Sequence, residues 1–404
     1  MSIKYSVAIP TYNGSKYLSS AINSILKSPR TDIEVLVSNN FSSDNTKEIL
    51  KSFDDSRLNI VEPDVFLPMS AHYEFIISKA RGQWLTIIGD DDAIMSDAFD
   101  KLDNLIYKYP DIEIITSARA YYFWEGCEKL YGNKVVSYSS KLSEKKKSTN
   151  IGLISSLFGL KSSFELPKIY TGSFIKKTLF EEIKSNSGGY FYHSINPDIY
   201  SSVAICLSRS NYLFVEEPLA WVGTSNKTMS NATKLDDENK NLKKSTIVFM
   251  DKIPKKISSK ISFKLFFEKF HQLFIYESLV QCPLRKYNYD SKFIKTIIYS
   301  SVLATIIDEY FQRDNKKVNT LIKEIYSECK KNKIFLINLV MLFAIILIFR
   351  LIINIIKIIK ILMKKSKIFG YFSFYSNDRN KFKNILDASN HIIKLKANIK
   401  KIIF

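Results

Sequence analysis

The sequence predicts an α/β protein built on a mostly parallel, doubly wound sheet. Two observations carry this over the first hundred or so residues. Short apolar runs alternate with longer stretches of three- and four-residue apolar spacing, and the apolar runs stop abruptly in polar turns. Tyr5–Pro10 (YSVAIP) reads as a buried strand followed by the polar turn Thr11–Gly14. A helix follows through Tyr17, Leu18, Ala21, Ile22, Ile25 and Leu26. Ile33–Val37 is a second strand, and Asp44 is placed to cap a helix carrying Ile49, Leu50 and Phe53. Arg57–Val61 gives a third strand and Ala71–Ala80 another helix. Trp84–Ile88 is a fourth strand, ending in Gly89-Asp90-Asp91-Asp92. Helix and strand continue through Ala98–Tyr109 and Ile112–Thr116. In such sheets ligands bind outside the carboxyl ends of the strands, where Thr11–Asn13, Ser38–Asn40 and Asp90–Asp92 all fall.

Beyond this the pattern changes. Residues 121–149 blur into polar, Lys-rich sequence, and a mixed region to about Ser230 holds strand-like pieces at Phe214–Val215 and Leu219–Val222. Residues 235–330 read as mostly helical, and Ile334–Ile356 is almost wholly apolar. The expected divisions are 1–230 for the catalytic domain, 231–333 for a helical region and 334–404 for an apolar, basic tail.

The chain has 404 residues, 59 Lys and Arg against 40 Asp and Glu, and a formal net charge of +19. That excess suits an anionic partner. About half of it lies in residues 357–404, with 12 Lys and Arg against 2 Asp and Glu, which points to lipid headgroups rather than nucleic acid. No zinc-finger, helix-turn-helix or RNA-binding signature is present. The four cysteines form no CxxC pair, which excludes a zinc knuckle and fits a reducing compartment. The N-terminus MSIKYSVAIPTYNG lacks the apolar core of a signal peptide.

The strongest chemical signal is Asp90-Asp91-Asp92 at a strand tip. Adjacent carboxylates repel one another and call for an offsetting cation. With no Cys or His nearby, the set suits a hard ion, Mg²⁺ or Mn²⁺.

The order VAIPTYNGSKYLSSAINSIL, IEVLVSNNFSSDNTKEI and ARGQWLTIIGDDD resembles the family 2 glycosyltransferases. LPKIYTGSFIKK (166–177), NPDIYSS (196–202) and EPLAWVGTSNKTMS (217–230) are similar to the acceptor-side segments of bacterial members that build surface polysaccharides. The resemblance covers residues 3–230. It implies a GT-A fold, a Rossmann-like, mostly parallel sheet followed by a helical C-terminal region. It also implies an inverting, metal-dependent transfer from a nucleotide sugar to a saccharide or lipid-linked acceptor.

Residue by residue, Pro10, Thr11, Tyr12 and Asn13 match the loop that lies against the nucleoside. Asn39 and Asn40 match the base-reading pair, where relatives carry at least one Asp. A uridine-linked donor is expected, and since an amide both donates and accepts, guanine stays open. Asp90 and Asp92 match the two ends of the DxD motif and are the expected Mn²⁺ or Mg²⁺ ligands, with Asp91 between them against the donor diphosphate. Asp198 matches the general base. Arg81 and Lys227 are candidates for phosphate contact, and Tyr190, Tyr192 and His193 for acceptor contact. The rival readings are a polyprenyl-phosphate glycosyltransferase, which shares the catalytic domain, and a nucleotidyltransferase, which releases pyrophosphate.

Ile334–Ile356 is long enough to span hydrocarbon. However, Arg350, Lys357, Lys360 and Lys364 share one helical face, and spanning would carry a cationic tail outward against the tendency of Lys and Arg to stay inside. An in-plane anchor on the cytoplasmic face of an anionic membrane is therefore expected.

Overall fold

The computed structural model describes residues 2–226, 270–308, 315–364 and 371–403. Its first half is the α/β unit expected. The chain runs β1 (Tyr5–Thr11), α1 (Leu18–Leu26), β2 (Ile33–Asn39), α2 (Thr46–Lys51), β3 (Leu58–Val61), α3 (Met69–Ile77) and β4 (Trp84–Ile87). It continues through β5 (Ala93–Ile94), α4 (Ala98–Lys108), β6 (Ile114–Ser117) and β7 (Ala120–Phe123). The short helix α5 (Glu128–Tyr131) precedes β8 (Val136–Lys141), β9 (Glu144–Ser148) and α6 (Thr149–Leu157). Next come β10 (Ser173–Lys176), α7 (Lys177–Ser185), α8 (Pro197–Ser208), β11 (Asn211–Val215) and β12 (Ala220–Thr224).

Eight strands form the main sheet in the order β3-β2-β1-β4-β10-β6-β11-β9. The β3–β4 half is parallel, with Tyr5 paired to both Ile33 and Trp84, while β10 runs antiparallel between β4 and β6. Both faces are covered, which is why these strands carry apolar residues on both faces rather than at alternate positions only, and two buried exceptions, Ser6 and Glu34, bond each other. Tyr5, Val7 and Ile9 pack with α1 and α4 on one side, whereas Ala8, Leu36 and Leu85 pack with α3, α7 and α8 on the other.

The second sheet holds five strands, β13-β8-β7-β12-β5, where β13 spans Tyr371–Ser376. Residues 121–149, which carry little sequence signal, supply β7, α5, β8 and β9. β9 (EKKKS) is the edge strand of the main sheet, and charged edges of this kind oppose pairing with other chains.

The described part of the helical region contains α9 (His271–Gln281), α10 (Lys292–Asp308) and α11 (Asn315–Lys331), followed by α12 (Leu336–Lys364). Leu273, Tyr276, Val302, Leu321 and Leu339 share one core. The expected boundary at 230–231 and Lys227 lie outside the described residues.

The expected separate tail at 334–404 is corrected. β13 pairs with β8 from Tyr371↔Lys141 to Ser376↔Val136, and α13 (Ile385–Ile403) buries Ile385, Ala388 and Ile392 in the core against α1 and α4. Lys396 ion-pairs with Glu217, so part of the tail's charge is used internally. Arg350 is also corrected. It faces inward, 8% exposed, and donates to the Phe158 and Ser301 carbonyls and to Thr305. Helical spacing alone put it with the lysines, but the carbonyls left over near the end of α6 recruit it.

Candidate active site

The acidic turn begins where β4 ends, because three like charges cannot continue into a dry sheet. Its three carboxylates have different surroundings. Asp90 is half-buried and accepts a 2.6 Å hydrogen bond from Thr11 Oγ1 at the end of β1. Gly14 leaves room for this reach, since a Cβ there would lie 2.3 Å from Asp90 Oδ2. Asp91 is buried and accepts from Ser225 Oγ at 2.6 Å. Asp92 is buried and accepts from the backbone N–H of Gly89 (2.9 Å), from the backbone N–H of Gly223 (2.8 Å) and from the Thr171 hydroxyl.

Burial, reinforced by Asp92 and Asp90, pushes the Asp91 carboxyl well above the usual carboxylate range. Burial also raises Asp92, opposed by Thr171, Gly89, Gly223 and the Arg119 charge. Neither Asp91 nor Asp92 has an ion-pair partner among the described residues, and no group of three Asp, Glu, His or Cys side chains there completes a metal site. The oxygen-only donors and the unrelieved negative charge fit a hard divalent ion that draws its other ligands from a diphosphate and water. Asp90 and Asp91 suit this better than the expected pair of Asp90 and Asp92, because Asp92 is already held by three protein donors.

Asp198 sits in the first turn of α8, after the Asn196 cap and Pro197, where the helix N-terminus favours a carboxylate. Tyr73 and Tyr170 link it to the acidic turn. Their rings stack at 6.4 Å and 19°. Burial, then the charges of Asp198, Asp92, Asp90 and Asp91, holds the Tyr73 hydroxyl well above its ordinary value. Tyr170 feels Asp92, Asp91 and Asp198 in the same way. Its hydroxyl, Asp91 Oδ1 and Asp92 Oδ2 all lie within 3.0–3.1 Å of where a Cβ on Gly89 would stand.

The family model described as glycosyl transferase family 2 matches residues 6–163, the stretch that supplies the first loop and the acidic turn. Over that stretch the chain is similar to glycosyl transferase family 2. Streptococcus pneumoniae glycosyltransferase GlyA is 27% identical over 225 residues, 52% of this chain and 30% of that protein. The Campylobacter jejuni GalNAc(5)-diNAcBac-PP-undecaprenol beta-1,3-glucosyltransferase is 28% identical over 193 residues, 46% of this chain and 56% of that one. The chain thus spans between about a third and just over half the length of these relatives. Among solved structures, Staphylococcus aureus TarS 1–349 with UDP-GlcNAc is 12% identical with a TM-score of 0.46, covering 81% of this chain and 92% of that one.

At the nucleotide side the first loop is bound to the second. Asn13, at φ 53°, receives Ser43 N–H on its Oδ1 at 2.7 Å and donates its own N–H to Ser42 Oγ at 2.9 Å. Tyr12 is exposed, its ring edge-on to Phe66 at 5.3 Å beside half-buried Pro10. Asn40 is corrected as a base reader. Its amide donates to Leu67 O (2.8 Å) and accepts from Leu67 N–H (3.0 Å), so both of its polar atoms clamp backbone. Asn39 donates to Glu62 Oε1 at 2.8 Å, which brings an exposed carboxylate from the end of β3 to the place expected for an Asp.

Arg81 is corrected too. It pairs with buried Glu34 at 2.7 Å rather than reaching a diphosphate. Tyr192 packs against Tyr73, Phe191 and Tyr200, while Tyr190 is exposed and His193 Nε2 lies 3.0 Å from the Tyr190 carbonyl. Sequence reasoning missed Thr171, Tyr73, Tyr170 and Gly223. Gly223 carried a signal, a lone glycine in a strand. A Cβ there would sit 1.6 Å from Asp91 O, so the close approach of β12 to the acidic turn requires glycine.

Proposed function

We propose that this family 2 domain transfers a glycosyl unit, with inversion, from a nucleoside diphosphate sugar to a hydroxyl of a lipid-linked saccharide. The observation that supports it is the convergence of Asp198 and the acidic turn on the Tyr73–Tyr170 pair. Asp198 accepts the proton of the acceptor hydroxyl as the new bond forms. Asp90 and Asp91 would hold Mg²⁺ or Mn²⁺, which when bound supplies positive charge for the departing diphosphate. Thr11 orients Asp90, and Asp92 anchors the turn. Single displacement needs one carboxylate base and no separate nucleophile. The undecaprenol-linked substrate named for the Campylobacter relative supports the lipid-linked acceptor. Tyr12, Phe66, Asn39 and Glu62 are the groups available to a base, and a uridine-linked donor is the reading we favour.

The membrane reading rests on α12. Leu339, Ile346 and Arg350 dock it on the body, while Ile337, Met341, Ile345, Ile348 and Ile352 are exposed on the opposite side. No helix among the described residues is long and apolar enough to cross a membrane. An in-plane helix on the cytoplasmic face, with its apolar side in the acyl boundary, would hold the site beside lipid-linked acceptors. The side chains of Lys357, Lys360 and Lys364 lie outside those described.

Release of nucleoside diphosphate from a panel of sugar donors tests the reaction. Release dependent on a divalent ion is expected, and pyrophosphate release instead would point to nucleotidyl transfer.

A further inference from the structure

Arg119 occupies the turn between β6 and β7, at the same carboxyl edge as Thr11 and Asp90. Its guanidinium carbon lies 4.0 Å from the centroid of the Phe164 ring. Lys168 Nζ lies 5.7 Å from the same centroid, and the His271 ring 4.8 Å from it. Phe164 is therefore a hub for three basic side chains drawn from β6–β7, the 166–177 segment and α9.

Neither cation has a counter-ion among the described residues. Elsewhere half-buried arginines are neutralised: Arg30 by Asp32 and Asp103, Arg57 by Asp55, Arg209 by Glu113 and Glu182. Among the described residues, Arg119 has no ion pair and lies over the Phe164 ring. Lys168 is 1% exposed, and its one hydrogen bond is a long one, 3.3 Å to the Ser163 carbonyl. Burial, then the Arg119 charge, pushes Lys168 down to about 7, while Asp198 favours its charged form. Two repelling cations held together in a partly dry place are preorganised for an anion.

We propose that Arg119 and Lys168, assembled on Phe164, form an anion subsite that takes a phosphate group at the junction of the donor and acceptor sides. The segment carrying Lys168 is tied to both sides, since Thr171 donates to Asp92 and Ile169 N–H donates to Ser201 Oγ in α8, the helix of Asp198, so the subsite lies between the acidic turn and Asp198. With its face on Phe164, the guanidinium keeps its N–H edge for two oxygens of a phosphate, while Lys168 adds charge from behind. The phosphate belongs either to the departing diphosphate or to the lipid-linked acceptor. This second step rests on the glycosyl-transfer reading.

Calorimetry on the full chain separates these. Wild type, Arg119→Gln and Arg119→Lys are titrated with UDP and Mg²⁺, then with inorganic phosphate at saturating UDP. Phosphate binding beside UDP, weakened roughly tenfold or more in Arg119→Gln and largely kept in Arg119→Lys, assigns the subsite to the acceptor. A similar loss of UDP affinity in Arg119→Gln, with no phosphate binding beside UDP, assigns it to the donor diphosphate. Equal affinities of wild type and Arg119→Gln for both probes overturn the subsite. That result leaves the glycosyl-transfer reading standing, because the latter fails only if no sugar donor yields nucleoside diphosphate.

Discussion

Asp92 Oδ1 accepts the backbone N–H of Gly223 at 2.8 Å, so the acidic turn is fastened to a strand 131 residues further along the chain. The carboxylate that a motif would assign to a metal is thereby a brace between the two sheets.

The roles of the acidic residues should separate in stability. Asp92→Ala leaves Gly223 N–H, Gly89 N–H and the Thr171 hydroxyl without their acceptor, at a cost of about 2–4 kcal/mol. Its melting temperature should fall by several degrees. Asp90→Ala should melt near wild type yet lose divalent-dependent donor hydrolysis. Equal melting of the two variants would refute the brace.

Asp198→Asn keeps shape and polarity but removes the proton acceptor. We expect kcat to fall by roughly 10²–10⁴ while UDP affinity is unchanged, since the nucleotide loops lie on other elements. Steady-state kinetics alongside calorimetry would check this, and lost UDP binding with retained turnover would reverse the assignment.

Asn40→Asp places a carboxylate against the Leu67 carbonyl. It should destabilise the domain by about 1–3 kcal/mol and leave the ranking of UDP, GDP, CDP and dTDP unchanged. Glu62→Gln should instead alter that ranking with little effect on melting. A change of base preference in Asn40→Asp alone would restore Asn40 as a reader.

Met341→Glu with Ile348→Glu puts two charges on the outward face of α12. The pair should abolish co-sedimentation with vesicles containing anionic lipid and preserve donor hydrolysis. Deleting everything after Lys333 is a poorer test, because it strips β13 from β8 and α13 from the core. Undiminished vesicle binding by the double variant would remove α12 as the anchor.

Glu277 in α9 is buried, which raises its carboxyl to about 8; Ser194 donates to it and opposes that rise. Its unfolded value is 4.5, so the folded state holds the proton more tightly. Stability is therefore fully present below about pH 4.5 and is lost as pH rises through about 8, on the order of a few kcal/mol. Glu277→Gln should flatten the fall in melting temperature between pH 5.5 and 8. Parallel curves for the two proteins would contradict this.

Much of the parallel half was legible because a strand covered on both faces is apolar on both, as Tyr5–Ile9 and Trp84–Ile87 are apart from Ser6 and Thr86. Amphipathic helices such as α1 and α4 announce themselves by spacing. β8 and β9 were not legible: SYSSK and EKKKS lie at a half-exposed face and an edge, where burial writes no pattern. β13 failed differently, since its Phe372 and Phe374 follow a long basic, apolar stretch that local reasoning assigns to lipid.

By itself the sequence determined the α/β class, the order of the loops at the carboxyl edge and the chemical type of the site: clustered carboxylates, amides and a further carboxylate at a helix start. These are local properties, set by side-chain period and by charge that cannot enter a sheet. Only the tertiary structure decided which carboxylate is a brace, that Asn40 clamps Leu67, that Arg350 turns inward and that Arg119 and Lys168 meet on Phe164. Each depends on which donor or charge, distant in sequence, is brought within about 3–6 Å in a partly dry interior, where a single hydrogen bond or unpaired charge outweighs any local preference.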